Sequence, residues 1–158
     1  MSLDFENEAA DAEEEGQLIN FFSEEIDFDV PDEAYLPHWI EQVLSREGKT
    51  LAGINYVFTG DAYLHRMNME YLNHDTLTDI ITFPYSEGSE IQGDIFISID
   101  RIRENAVQFG VAFEEELRRV MAHGALHLCG YLDKTAEEKK LMSAKEDEAL
   151  LLWQEMHT

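Results

Sequence analysis

Apolar residues follow two spacings along this chain, and the spacings predict a series of strands and helices. Short runs rich in β-branched and aromatic residues predict four strands, at 17–24, 51–60, 78–85 and 93–100. Apolar residues at three- and four-residue intervals predict five helices, at 38–48, 61–73, 102–110, 113–130 and 135–156. The predicted order along the chain is therefore β-α-β-α-β-β-α-α-α.

Residues at the ends of these segments predict where several helices begin and end. Pro37 suits the start of the first helix, and Asp61 is the predicted N-cap of the second. Thr135 and Glu138 have the spacing of a capping box at the start of the last helix. Gly130 is the predicted stop of the fourth helix, because glycine readily takes the left-handed conformation that ends helices.

This order of elements predicts an α/β protein of the α+β kind. We expect a single domain, 17–158, in which helices pack on one small mixed sheet of about four strands, and 158 residues are enough for one such core. The turn-rich segment 86–92 predicts a hairpin between the two strands that flank it. Residues 1–16 carry seven acidic residues, no basic ones and no apolar periodicity, and we predict a disordered tail.

The net charge of −23, from 34 acidic and 11 basic residues, changes which partners are plausible. Such a charge repels membranes and nucleic acids at long range, so a nucleic-acid role requires local positive charge or a bound metal. The sequence contains no long apolar run and no basic-then-apolar leader, and the single cysteine, Cys129, cannot form an internal disulfide. These features favour a cytoplasmic protein with no membrane partner.

Residues 123–133, HGALHLCGYLD, contain the candidate chemistry. His123 and His127 are four residues apart, so their imidazoles lie on one face of the predicted helix, close enough to bind the same metal ion. Gly130 then reverses the chain, and Asp133 becomes the predicted third ligand of a site at the helix end. Two imidazoles, a carboxylate and a water suit one Zn²⁺ per chain, and another divalent metal is compatible. The alternative is an ordinary helix that carries two histidines.

Other functions share this ligand spacing. The pattern matches the ligand layout of the metzincin metalloproteases, although position 124 is glycine where those enzymes have a catalytic glutamate. Two histidines and a carboxylate also form the metal site of non-haem iron oxygenases, whose ligands usually come from strands. A third alternative is a non-catalytic metal-binding module in which the metal is structural.

The motif H-G-x-L-H-L-x-G-Y at 123–131 resembles the signature of the YbeY family of bacterial endoribonucleases. Two further segments are similar to that family: YLNHDTLTDIITFPY at 71–85 and GDIFIS at 93–98. The resemblance extends over about residues 17–156. It implies a metal-dependent hydrolase that cuts single-stranded RNA, matures ribosomal RNA at the small-subunit 3′ end and acts in ribosome quality control. The partners it implies are rRNA and the ribosome or small-subunit proteins, and no DNA. With this resemblance, the non-catalytic alternative becomes a ribosome-associated metal-binding module.

Two positions depart from the family's pattern. The family's third histidine ligand corresponds to Asp133, and its active-site arginine corresponds to Leu72. An arginine there would bind phosphate through two hydrogen bonds, so another residue would have to replace it. Arg66 and His74, with the neighbouring His65, are candidates because they are near in sequence.

The expected catalytic group is a metal-bound water, whose pKa a metal lowers towards ~7. Asp79 and Asp94, in the two segments that resemble the family, are candidate bases. Their alternative role is in turns or caps. Arg118 and Arg119 are candidate substrate-binding residues one turn before His123. Their alternative role is to balance Glu114–Glu116 on a solvated helix face.

Overall fold

The computed structural model describes residues 18–158, and its elements follow the predicted order. The predicted acidic tail, 1–16, lies outside the described residues. The strands are β1 (Ile19–Ser23), β2 (Thr50–Thr59), β3 (Ile80–Pro84) and β4 (Glu90–Ser98). The helices are α1 (Leu36–Arg46), α2 (Asp61–Leu72), α3 (Ile99–Phe109), α4 (Phe113–Leu128) and α5 (Ala136–Met156).

The four strands form one mixed sheet in the order β1-β2-β4-β3. Strand β2 is parallel to both β1 and β4, and β3 pairs with β4 in the antiparallel sense. The predicted β3–β4 hairpin is therefore confirmed, with Ile80 opposite Ile97 and Phe83 opposite Asp94. The α+β class and the mixed sheet are confirmed as well.

The two faces of the sheet are covered by different helices. Ile95 of β4 contacts α4, whereas the adjacent Phe96 stacks on Tyr63 of α2, because successive side chains of a strand point to opposite faces. The main core lies between the sheet and α1, α4 and α5. Two buried side chains link its layers: Trp39 Nε1 donates to the carbonyl of Ala149 at 2.8 Å, and the Tyr56 hydroxyl donates to that of Met121 at 2.9 Å.

Of two N-terminal helix caps predicted from the sequence, one is confirmed and the other is wrong. The capping box of Thr135 and Glu138 is present at the start of α5. The prediction that Asp61 is an N-cap is wrong, because Gly60 holds that position and Asp61 is the first residue of α2. The Asp61 carboxylate instead accepts hydrogen bonds from Ser98 Oγ at 2.8 Å and Arg101 Nε at 3.0 Å.

Gly124 sets how closely α4 lies against the sheet. A Cβ atom at this position would lie 2.9 Å from Ile80 Cδ1 and 2.9 Å from Ile95 Cγ2, which is closer than side-chain carbons approach. A glycine is therefore needed where α4 crosses β3 and β4. Its neighbour His123 lines a cleft beside α4. None of the helices described within residues 18–158 is both long and apolar enough to cross a membrane.

Candidate metal centre

The structure brings the three predicted ligands together at the end of α4. Asp133 Oδ2 lies 3.1 Å from His123 Nε2 and 3.2 Å from His127 Nε2. Within residues 18–158, these side chains form a group that could hold a metal ion, with ligand atoms within 4.8 Å of one another. The two imidazole rings meet edge to face, with their centroids 4.5 Å apart.

Asp133 reaches the histidines because the chain reverses after α4. The helix ends at Leu128, two residues before the predicted boundary, and Gly130 follows with φ of 109°. Only a glycine takes this backbone conformation without strain. The turn is held to α1, because the Tyr131 hydroxyl donates to Glu47 Oε1 at 2.5 Å, and Glu47 also pairs with Lys145 at 3.2 Å.

The hydrogen bonds of His127 determine which of its nitrogens faces Asp133. Its Nδ1 lies 2.9 Å from the carbonyl oxygen of Tyr131. Because a carbonyl can accept but not donate, Nδ1 carries the proton and the neutral ring presents its Nε2 lone pair towards Asp133. A hydrogen bond of this kind is what orients metal-binding histidines in proteins.

His123 has a charged partner where His127 has a neutral one. Its Nδ1 donates to Glu146 Oε2 of α5 at 2.5 Å. Its Nε2 therefore points to Asp133, as that of His127 does. The two Nε2 atoms and one carboxylate oxygen converge, and this donor set fits Zn²⁺.

The charges of the cluster shift its pKa values in opposite directions. Burial alone would raise the pKa of Asp133, but His127 and His123 outweigh it and lower that pKa. Burial alone would lower the pKa of His123, but the hydrogen bond and charge of Glu146 outweigh it and raise that pKa. The carboxylate of Asp133 is thus kept ionised, which is the form that binds a metal.

The cluster opens into a cleft of about 920 Å³. The cleft is bounded by α2, the segment 73–79, β3, α3, α4 and α5. Two carboxyl groups line it beside the cluster, the half-buried Asp79 and the buried Glu116. Burial raises the pKa of Asp79 against the opposing effect of His123, and burial raises the pKa of Glu116 to about 7 although Arg119 lowers it.

Sequence reasoning did not identify Glu116 or Glu146. Glu116 precedes His123 by seven residues, so both lie on the same face of α4, and this spacing was a usable signal. Glu146 is on a separate helix, and its proximity to His123 depends on how α5 packs on α4.

The other predicted site residues divide between the cleft and elsewhere. His74, Asp79 and Arg119 line the cleft, and so does Leu72, at the position of the family's arginine. Arg66 and Asp94 line a different pocket on the far face of the sheet.

The residues outside the cleft have other partners. Arg66 forms an ion pair with Glu25 at 2.7 Å. Asp94 accepts hydrogen bonds from Asn55 and Tyr85 at 3.0 and 2.8 Å. His65 pairs with Asp75 at 2.8 Å. Nearness to Leu72 in sequence, for Arg66 and His65, and a family-like segment, for Asp94, therefore did not bring these side chains to the site.

Arg118 and Arg119 are adjacent in sequence but differ in their surroundings. Arg118 lies over the Trp153 ring at 4.6 Å and pairs with Asp32 at 3.5 Å, away from the cleft. Arg119 lines the cleft but is bonded to Glu146 and Asp147. Neither guanidinium is placed as a freely available phosphate-binding group.

Comparisons with known proteins agree on one family. The family model described as Endoribonuclease YbeY matches residues 19–154. A protein named Endoribonuclease YbeY from Flavobacterium psychrophilum is 54% identical over 132 residues, which are 84% of this chain and 94% of the relative. One of the same name from Flavobacterium johnsoniae is 51% identical over 136 residues, covering 86% of this chain and 97% of the relative.

A solved structure agrees as well. The solution structure of a Thermotoga maritima protein superposes with a TM-score of 0.64 at 26% identity, covering 88% of this chain and 91% of that one. Fold and site thus define a metal-dependent hydrolase of the nuclease class. The chain belongs to the Endoribonuclease YbeY family.

Proposed function

We propose that this protein is a zinc-dependent endoribonuclease that cuts single-stranded RNA. It processes ribosomal RNA, including the 3′ end of the small-subunit rRNA, and takes part in ribosome quality control in the cytoplasm. Family membership supports the nuclease chemistry. The observation that carries the zinc proposal is the convergence of His123 Nε2, His127 Nε2 and Asp133 Oδ2, with both Nδ1 atoms engaged by hydrogen bonds.

The three ligands would hold one zinc ion at the mouth of the cleft. When bound, zinc supplies Lewis-acid activation of a phosphoryl oxygen and of water. The chain itself supplies the geometry, because the Tyr131 carbonyl and Glu146 engage the two Nδ1 atoms and leave both Nε2 atoms aimed at one point.

Proton transfer is assigned to the carboxyl groups that line the cleft. Asp79 is half-buried there and Glu116 is buried, and burial raises the pKa of each. The carboxyl group of Glu116, with a pKa of about 7, can both accept and donate a proton near pH 7. Asp79 therefore remains a candidate base, as expected from the sequence, and Glu116 joins it. Asp94 is not retained, because its oxygens face Asn55 and Tyr85 in other pockets.

Phosphate recognition depends little on basic side chains. Arg119 is engaged by Glu146 and Asp147, and Leu72 replaces the arginine of the family's pattern. His74 and Lys134 line the same cleft and are the substrate-binding candidates that remain. With few phosphate contacts, RNA binding should depend weakly on salt. We infer that the ribosome or a small-subunit protein presents the RNA.

The metalloprotease alternative has a physical obstacle. The position that carries the catalytic glutamate in those enzymes is Gly124, and a side chain there would meet Ile80 and Ile95 under the helix. A base at this position would point into the sheet, away from the cleft.

The proposal is tested with metal-stripped protein, a single-stranded RNA oligonucleotide and the same oligonucleotide in a duplex. We expect added Zn²⁺ to restore cleavage of the single strand, with much slower cleavage of the duplex. His123→Ala should abolish cleavage, and His38→Ala, on the exposed surface of α1, should leave it unchanged. Wild-type protein that binds zinc but cleaves neither RNA would favour the non-catalytic module. Activity restored by Fe²⁺ and not by Zn²⁺ would contradict the zinc assignment.

A further inference from the structure

Glu146 is a buried carboxylate whose two oxygens are both engaged by α4. The residue is 8% exposed. Its Oε2 accepts from His123 Nδ1 at 2.5 Å, and its Oε1 accepts from Arg119 Nη1 at 2.8 Å. Burying a carboxylate is costly unless it is paired and hydrogen-bonded. Both conditions are met here by two donors that are one helical turn apart on α4.

Arg119 completes this arrangement by holding the carboxylate in place. Its second terminal nitrogen donates to Asp147 Oδ1 at 2.6 Å, so the planar guanidinium bridges two neighbouring carboxylates of α5. This contact fixes where Glu146 lies along α4. It also explains why the one arginine at the cleft is turned towards α5, among the residues that the structure describes there.

We propose that Glu146, held by Arg119, is the positioning residue of His123. It fixes the proton on Nδ1, sets the ring orientation and increases the electron density at Nε2, so that this nitrogen binds the metal more strongly. The inference rests on the metal site proposed above and deepens it. A hydrogen bond to a charged acceptor is roughly twice as strong as one to a neutral acceptor. The two histidines are therefore unequal, since His127 has a backbone carbonyl where His123 has a carboxylate.

The inference is tested by the dissociation constant of Zn²⁺, measured by chelator competition on the full chain. Losing a group that orients a metal-binding histidine typically weakens metal affinity about 10- to 100-fold. We expect a loss of that size in Glu146→Ala and a smaller one, about fivefold, in Glu146→Gln, whose amide oxygen still accepts but carries no charge. Glu148→Ala is the matched control: it is an exposed glutamate of the same helix, paired with Lys145, and its zinc affinity should match wild type.

A second readout separates positioning from a structural role. Co²⁺ can be bound in place of Zn²⁺, and its visible absorption spectrum reports the geometry of the ligands. We expect this spectrum to differ from wild type in Glu146→Ala and to match wild type in Glu148→Ala. The thermal midpoint of the metal-free proteins gives the effect on folding alone. A Glu146→Ala protein that loses stability but keeps its zinc affinity and cobalt spectrum would overturn the inference. If that variant does not fold, Glu146→Gln decides, and an unchanged zinc affinity there would overturn it.

The two proposals fail in different ways. Wild-type protein that binds no zinc would remove the metal site and the role of Glu146 together. Wild-type protein that binds zinc tightly, with Glu146→Gln and Glu146→Ala equally tight, would remove the role of Glu146 and leave the metal site standing.

Discussion

His127 Nε2 and Asp133 Oδ2 lie 3.2 Å apart, although Asp133 is outside the helix that carries the histidine. The contact depends on Gly130, which reverses the chain, and on Tyr131, whose carbonyl orients His127 and whose hydroxyl is bound to Glu47. The turn therefore delivers the proposed third ligand, Asp133, and orients the proposed second ligand, His127. A carboxylate at position 133 makes the ligand set one charge more negative than three neutral histidines would.

Replacing Asp133 with histidine tests that charge directly. We expect Asp133→His to retain about one zinc per chain, because imidazole is an equally good ligand. The site then has a charge of about +2 instead of about +1, so the lower limb of the pH–rate profile should shift to lower pH. Single-strand cleavage measured from pH 5 to 9 checks this. A profile that is unchanged in a zinc-loaded variant would contradict the electrostatic argument.

A second prediction concerns the close contact between Gly124 and the sheet. Alanine there gains about 1 kcal/mol of helix propensity, but its Cβ would clash with Ile80 and the fully buried Ile95. Overpacking of this kind costs about 1–3 kcal/mol, so we expect Gly124→Ala to lower the free energy of unfolding by up to about 2 kcal/mol. Urea denaturation measures the change.

A double mutant supplies the control for this clash. Ile80→Val removes the Cδ1 atom that lies 2.9 Å from the added Cβ. We expect Gly124→Ala to cost less in the Ile80→Val background than in wild type, because contacting positions are coupled. Additive effects of the two substitutions would show that the crowding is relieved elsewhere.

The raised pKa of Glu116 should make the free energy of unfolding depend on pH. Burial raises the pKa of its carboxyl group to about 7, from an ordinary value of 4.5. Between these pH values the folded chain holds a proton that the unfolded chain has lost, so this group lowers stability as pH rises from about 4.5 to about 7. Glu116→Gln removes the effect. The variant should gain up to about 3 kcal/mol over wild type above pH 7 and little below pH 4.5.

Denaturation of the metal-free proteins at a series of pH values measures the difference. Glu114→Gln, an exposed neighbour in the first turn of α4, is the control, and its difference from wild type should not grow across this range. If the stability difference between Glu116→Gln and wild type is also constant from pH 4.5 to 7, the pKa of the Glu116 carboxyl group is not raised by folding. Its assignment as a proton-transfer group would then lose its basis.

Much of this structure could be predicted from sequence patterns, because the features concerned are formed by interactions between residues close in sequence. The order of elements, the β3–β4 hairpin and the Thr135–Glu138 capping box each depend on residues close in sequence. The grouping of His123 and His127 with Asp133 is local in the same sense, since a helical turn and one chain reversal bring the side chains together.

Contacts between elements that are far apart in sequence could not be predicted in this way. Glu146 meets His123 because α5 packs on α4, and no spacing within either helix contains that information. Arg66 was expected near the site because it is close to Leu72 in sequence, and Asp94 because its segment resembles that of the family. Both instead lie in a pocket on the far face of the sheet. Successive side chains of β4 point to opposite faces of the sheet, so Asp94 faces away from the side on which Ile95 packs against α4.

The central claim is that His123, His127 and Asp133 together hold one zinc ion, and metal content tests it most directly. Elemental analysis would be made on protein purified without added metal, for wild type, His123→Ala, Asp133→Ala and the surface control His38→Ala. We predict about one zinc per chain in wild type and His38→Ala, and a large loss in the other two variants. Zinc that persists at one per chain in Asp133→Ala, or wild-type protein that takes up no zinc on reconstitution, would contradict the account.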